Sequence, residues 1–277
     1  MRELKIDVRS AIREKSPKLY RRLPGFVLRY IERIVHQKEI NAFLKKNGDL
    51  TNFDFSDAVV KELDLKYTFQ GIEKIPKSGP VILVMNHPLG GVDGLAFISA
   101  MREHRQDIVF LVNDILLQMA PLKSMFVGVN KHAKNTAETW EQIDKMFDSD
   151  QAVCIFPAGL VSRIEKGHVK DTVWKKTFVT YARKTGHPII PIHISGNLSK
   201  WFYGLFKFRT FFRIKSAFEM LYLADEMYKQ KGKHVTFSVG TPLYVREFNT
   251  SSTDHQIAQE IKENLYKIPT HYGAHNS

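Results

Sequence analysis

The stretch VILVMNHPLGGVDGLAFISAM, residues 81–101, decides the architecture. Its unbroken apolar start reads as a strand buried on both faces, which belongs to a parallel sheet covered by helices. Its end, VDGLAFISAM, reads as the helix that follows. Between them stand Asn86, His87, Pro88 and the pair Gly90–Gly91, more polar and glycine-rich than a plain strand-to-helix turn requires. Asp93 can be read as the N-cap of the helix and His87 as an ordinary turn residue. The alternative makes them partners. On one continuous helix they would stand about 240° apart, so they meet only if the chain folds back between strand and helix. Gly90 and Gly91 permit the positive φ values of such a return, and Pro88 stiffens its start. An imidazole whose Nδ1 donates to a carboxylate is held in one tautomer with Nε2 free to take a proton, a general base for a hydroxyl or amine nucleophile.

Downstream the strand, loop, helix rhythm repeats. DIVFLVN, SMFVGVN, QAVCIFP, PIIPIHIS and HVTFSVG read as strands. NTAETWEQIDKMFDSD, VWKKTFVTYARKTG and STDHQIAQEIKENLYKI read as helices, and DILLQMAPLK as a short helix ended at Pro121. Alternation of this kind predicts an α/β fold with a mostly parallel central sheet flanked by helices. The proline inside PIIPIHI predicts an edge position or a strand end, with His193 structural. Cys154 sits in an apolar strand and reads as core. Residues 1–70 are basic and helical in pattern, which predicts an N-terminal helical, membrane-facing extension ahead of a catalytic α/β domain at 71–277.

The net charge of +12 in 277 residues implies attraction to a polyanion. The segment NLSKWFYGLFKFRTFFRIK, residues 197–215, interleaves aromatics with Lys and Arg and contains no acid. It suits a lipid interface with anionic headgroups; a stacking surface for single-stranded nucleic acid is the other chemistry it fits, and none is expected here. One cysteine excludes an intramolecular disulfide and points to a reducing compartment. No apolar run approaches the roughly 18–20 residues of a membrane span, and the start lacks the apolar core of a signal peptide. The expected location is cytoplasmic, peripheral on the inner face of the cell membrane.

Further candidates lie at other strand ends. CIFPAGLVSR offers Phe156, Pro157 and Gly159 at a turn, then Ser162 and Arg163 as polar groups projecting from the loop; Arg163 suits a phosphate or carboxylate. Lys131, after FVGVN, adds positive charge at the same edge of the sheet. The remaining histidines are too scattered for a metal ligand set, so neither metal nor cofactor is expected.

The order NHPLGGVDG, FVGVNK, FPAGLVSR, IIPIHI resembles the four blocks of the glycerolipid (lysophospholipid) acyltransferase superfamily, over roughly residues 79–196. The resemblance implies acyl transfer from a thioester of acyl carrier protein or coenzyme A to a lyso-lipid, with His87 as base and Asp93 as its orienter. Lys131, Phe156, Pro157, Gly159, Ser162 and Arg163 would then lie at acceptor-binding positions, with backbone amides near Gly159 stabilising the oxyanion. Two departures are visible. Five residues, not the usual four, separate His87 from Asp93, and Ala158 stands where the third block has a glutamate. This variant looks more like the hemolysin-like branch, which includes O-acyltransferases of ornithine and glycine lipids. The expected acceptor is therefore a lyso-aminolipid bearing a hydroxyl and a carboxylate. A lysophosphatidate acyltransferase and a non-catalytic membrane-surface protein are the alternatives.

Overall fold

The computed structural model describes residues 5–129, 136–165, 167–214 and 217–269. Nine strands occur among them: β1 Lys66–Gln70, β2 Val81–Met85, β3 Ile108–Asn113, β4 Phe126–Val129, β5 Ala152–Ile155, β6 Arg163–Glu165, β7 His168–Lys170, β8 Ile189–Ile194 and β9 His234–Val239. The helices are α1 Val8–Lys15, α2 Pro17–Arg22, α3 Gly25–Ile34, α4 Gln37–Asn47, α5 Asn52–Glu62, α6 Gly91–Met101, α7 Ala137–Phe147, α8 Thr177–Thr185, α9 Lys200–Phe211, α10 Leu223–Tyr228 and α11 Asp254–Leu265. Seven strands form one sheet in the order β1-β9-β8-β2-β5-β3-β4, while β6 and β7 make a separate hairpin. All neighbours in the large sheet run parallel except β8 and β9. The mostly parallel α/β sheet expected from the sequence is thus present.

β2 lies at the centre and shows why its sequence is apolar throughout. Val81, Leu83 and Met85 enter a core that also takes residues from α5, α6 and α9, such as Val59, Phe97 and Phe202. Ile82 and Val84 enter the opposite core with Ile143 of α7, Phe178 of α8 and Ile261 of α11. Both pleat faces are therefore covered, and no position on the strand tolerates a polar residue. Gly186 ends α8 in the left-handed conformation, as the sequence suggested.

Three expectations shift. The division at residue 70 cuts through the sheet: β1 pairs with β9 from Lys66 to Gln70, and Phe55, Val59 and Leu63 belong to the main core. The segment 114–125 is two 3-10 turns, with Pro121 near the start of the second rather than the end of the first. Proline lacks only a donor that a first turn does not use. Pro191 sits in an interior strand between β9 and β2, not at an edge. Its missing N–H falls in a gap in the ladder, between the Ile189–Leu243 bridge and the pairing that starts at Ile192–Val239. Gly240 donates to the Pro191 carbonyl there at 2.8 Å. A Cβ on Gly240 would stand 2.9 Å from the proline ring, so the glycine makes room for it. Among the described residues, no helix is long and apolar enough to cross a membrane.

Candidate active site

Strand β2 ends at Met85, but its pairing with β8 continues through a side chain. The Asn86 carboxamide donates to the Ile194 carbonyl at 2.9 Å and accepts its N–H at 2.7 Å. Asn86 is buried, so the side chain replaces backbone bonds that burial would otherwise leave unmade. His87 then leaves the sheet at the carboxyl ends of the central parallel strands, where α/β proteins place ligands. Its backbone is held on both sides by the segment after β5. The His87 N–H donates to Asp171 Oδ1 at 3.1 Å, and the His87 carbonyl accepts from the Ser162 N–H at 2.8 Å.

The chain returns at Gly90, whose φ of 71° and ψ of −135° suit glycine. Gly91 already belongs to α6 with ordinary φ, so one glycine, not two, makes the reversal. Asp93 lies in the first turn of α6 rather than at its N-cap, which is Gly90. Asp93 Oδ2 is 2.9 Å from His87 Nδ1 and accepts the Leu89 N–H at 2.9 Å. The five intervening residues therefore close a loop that both chain ends and a mid-loop amide pin to one carboxylate oxygen. Because a carboxylate only accepts, the shared bond places the ring hydrogen on Nδ1 and leaves the Nε2 lone pair available. Asp93 has no solvent exposure. Burial pushes its carboxyl up, against the downward pull of the His87 and Leu89 hydrogen bonds.

The Phe156 ring stacks on the imidazole, with centroids 4.3 Å apart and planes 29° from parallel. His87, Phe156, Pro157 and Gly159 line one cavity of about 140 Å³ together with Asn113, Val129, Lys175 and Thr177. The ends of β3, β4 and β5 form its walls. A larger apolar cavity of about 430 Å³ lies between α4, α5, α6 and α10, lined by Phe43, Val59, Leu95 and Met227 among others. It does not include His87.

Ser162 and Arg163 do not project from the loop as the sequence suggested. Ser162 is buried and donates to Asp171 Oδ1 at 2.5 Å. Arg163 is only 6% exposed. Its Nη1 donates to the Val161 carbonyl at 2.9 Å, its Nη2 lies 3.9 Å from Glu219 Oε1, and its guanidinium stands 4.6 Å from the Phe206 ring centre. Glu219 also takes Arg209 at 2.9 Å, so a wholly buried carboxylate lies between two arginines. Burial lowers the Arg163 guanidinium, with Glu219 opposing. The partner that turns Arg163 inward lies 56 positions away in the chain, and no local spacing announces it. Gly159 uses its N–H on the Phe156 carbonyl at 2.9 Å, so that amide closes the turn instead of facing a ligand. Lys131 lies outside the described residues.

His193 is half-buried, edge-on to Tyr266 at 5.7 Å, and burial lowers it to about 4. Its ring is neutral near pH 7. Among the described residues no group of three or more His, Cys, Asp or Glu is arranged to hold a metal ion.

Asp171 was missed by sequence reasoning. Besides the Ser162 hydroxyl and the His87 N–H on Oδ1, its Oδ2 accepts the Trp174 indole N–H at 2.8 Å, and its own N–H donates to the Tyr266 hydroxyl at 2.7 Å. Burial raises this carboxyl as well, opposed first by the Ser162 and Trp174 bonds. The signal available was the spacing KDTVW: a buried tryptophan seeks an acceptor for its N–H. Its link to His87, 84 positions away, had no such trace.

The family model described as Acyltransferase matches residues 10–271. The chain is 39% identical over 264 residues to the lyso-glycine lipid O-acyltransferase of Bacteroides thetaiotaomicron, covering 95% of this chain and 97% of that one. It is 37% identical over 264 residues to the enzyme of the same name from Phocaeicola vulgatus, covering 95% of each. Among solved structures, the 1-acyl-sn-glycerophosphate acyltransferase PlsC of Thermotoga maritima aligns with a TM-score of 0.47 and 17% identity, over 87% of this chain and 91% of that one.

Replacing Asp171 by Ala would leave the His87 N–H, the Trp174 indole and the Ser162 hydroxyl without their buried acceptor. At about 1–3 kcal/mol for a stranded buried donor, Asp171→Ala should lower global stability by at least about 2 kcal/mol in denaturant unfolding. Asp171→Asn, which keeps an acceptor oxygen, should lose less. Equal stability of Asp171→Ala and the unsubstituted chain would show that this network holds nothing.

Proposed function

The chain belongs to the acyltransferase family, and from that premise we propose that it transfers a fatty acyl group from an acyl thioester to the hydroxyl of a lyso-aminolipid of the glycine-lipid type. One observation carries the mechanism: His87 Nδ1 lies 2.9 Å from a fully buried carboxylate while the ring lines a cavity at the carboxyl ends of the parallel strands. In this reading Nε2 takes the proton of the acceptor hydroxyl as its oxygen attacks the thioester carbonyl. The C–O bond forms, the carbonyl electrons move onto oxygen, and collapse of the tetrahedral intermediate breaks the C–S bond. The imidazolium returns its proton to the leaving sulfur, giving ester, free thiol and neutral histidine. Asp93 orients the ring and offsets its transient positive charge.

Amide donors for the oxyanion are better sought in the first turn of α8 than at Gly159. Thr177 and Phe178 of that turn line the cavity, and the helix has no side-chain cap. The donor thioester is carried by acyl carrier protein or coenzyme A; both carriers are anionic and suit a chain of net charge +12. The large apolar cavity beside α6 is chemically suited to an alkyl chain.

The test uses purified protein with each thioester and either lyso-glycine lipid or lysophosphatidate. Turnover on the glycine lipid is expected, reduced about 10²–10⁴-fold in His87→Ala. Undiminished turnover in that variant would remove the proposed base, and turnover confined to lysophosphatidate would replace the acceptor.

The acceptor is a lipid, and the surface of α9 supports a peripheral seat on the inner, anionic membrane face. Phe202 and Tyr203 of this helix are buried, whereas Trp201, Phe208 and Phe211 point outward; Phe211 is 82% exposed, and Phe212 follows it. Phe26 and Tyr30 of α3 are exposed as well, and Tyr30 bonds Tyr222, which meets Trp201 edge-on. Lys200, Lys207 and Arg213 accompany these rings. Rings entering the headgroup zone and cations facing anionic lipid are complementary to such a surface. Substituting both Phe211 and Phe212 by Ser should weaken binding to anionic vesicles at least about tenfold. High salt should release much of the intact protein, because headgroup attraction is screened within about 8–10 Å. Vesicle binding indifferent to both changes would contradict this seat.

A further inference from the structure

An acylated glycine that offers a hydroxyl for attack still carries its carboxylate. Placing that anion in a partly enclosed site without a cation would strip its hydration with no return. The third-block arginine does not serve: Arg163 is buried against Glu219, Phe206 and two backbone carbonyls. Among the described residues lining the cavity that holds His87, Lys175 is the one formally charged side chain. No carboxylate among the described residues lines it.

The position of Lys175 is built into the network around His87. Its backbone N–H donates to the Pro157 carbonyl at 3.1 Å. The residue before it, Trp174, is fully buried and bonds Asp171, the same carboxylate that accepts the His87 N–H. The Lys175 side chain then crosses Gly159: its Nζ stands 3.8 Å from where a Cβ on that glycine would be. It makes no ion pair or hydrogen bond through Nζ with any described residue. An ammonium rooted in that network, exposed and unpaired among the described residues, thus lines the same cavity as the imidazole.

We infer that Lys175 binds the carboxylate of the acceptor lipid while the acceptor hydroxyl lies at His87, and so selects for acidic lyso-aminolipids. This assignment rests on the acyl-transfer reading above. It adds a residue, and a reason for specificity, that the four-block pattern does not contain. The lysine holds an end of the substrate that does not react, so its effect falls on acceptor binding more than on the chemical step.

The experiment compares lyso-glycine lipid with its primary carboxamide analogue, in the intact chain and in Lys175→Met and Lys175→Arg, with the donor thioester saturating and then varied. Because Lys175 is exposed and contributes only backbone bonds to the fold, Lys175→Met should unfold at the same temperature as the intact chain. The intact protein should prefer the acid over the amide by KM. Lys175→Met should raise KM for the acid about 10- to 100-fold, as expected for loss of a charged hydrogen bond, and leave KM for the amide in place. Lys175→Arg should recover most of the acid preference. Equal KM for acid and amide in the intact protein would overturn the assignment. A rise in KM for the thioester with acceptor KM unmoved would also overturn it, moving Lys175 to a phosphate of the donor. Failure of the intact protein to use lyso-glycine lipid at all would instead remove the reading beneath it, and the assignment with it.

Discussion

The imidazole of His87 is fixed by two carboxylates that solvent does not reach. Asp93 holds the ring through Nδ1, and Asp171 holds the backbone through its N–H. Each alone would leave a freedom that the proposed role of His87 as a base does not tolerate. A fixed backbone with a free ring would sample both tautomers, and a fixed ring on a loose loop would drift relative to the cavity. The two act from different segments, α6 and the connection between β7 and α8, so the site exists only when the sheet has brought those segments together.

Burying two acids in a strongly basic chain opposes folding unless their oxygens are satisfied. Asp171 meets that condition with three donors from Ser162, His87 and Trp174. Asp93 meets it on one oxygen; Oδ1 has no donor among the described residues. That asymmetry agrees with an environment that raises the Asp93 carboxyl. In the proposed mechanism it is tolerable, since Asp93 would meet a transient imidazolium whose positive charge arrives when the proton does. Another buried acid, Glu219, acts elsewhere. With Arg163 and Arg209 it ties the aromatic helix α9 to the loop that carries Phe156 and Gly159. The exposed rings of α9 and the cavity beside His87 are thereby joined by a short path of buried ion pairs.

What the sequence disclosed was local. The apolar run of β2, the glycines after it and the helix behind it are legible within residues 81–101, and so is the chance of an imidazole–carboxylate pair. Pairings across long separations were hidden. The β1 stretch reads as a strand, but its partner β9 lies more than 160 positions away, so the sequence suggests a boundary where the sheet continues. The proline in PIIPIHI suggests an edge or a strand end because the ladder gap that accommodates its ring is made by Gly240, just past another strand. Arg163 reads from the sequence as a ligand for substrate because an arginine beside a turn is usually solvated, and the buried Glu219 that captures it is remote. Asp171 and Lys175, between the hairpin β6–β7 and α8, matched no local motif. Their roles follow from where Trp174 is buried, which only the packed structure decides.

The most direct test is the protonation pattern of the His87 ring in the folded protein. With ¹⁵N-labelled histidine, and His87→Gln to assign the signal, the two ring nitrogens can be read at a pH where the ring is neutral. Hydrogen on Nδ1 and a bare Nε2 are expected, against the usual preference of free imidazole, with the pattern lost in Asp93→Ala. Hydrogen on Nε2 in the intact protein would mean that Asp93 does not hold the ring, and that His87 has no lone pair facing the cavity with which to act as a base.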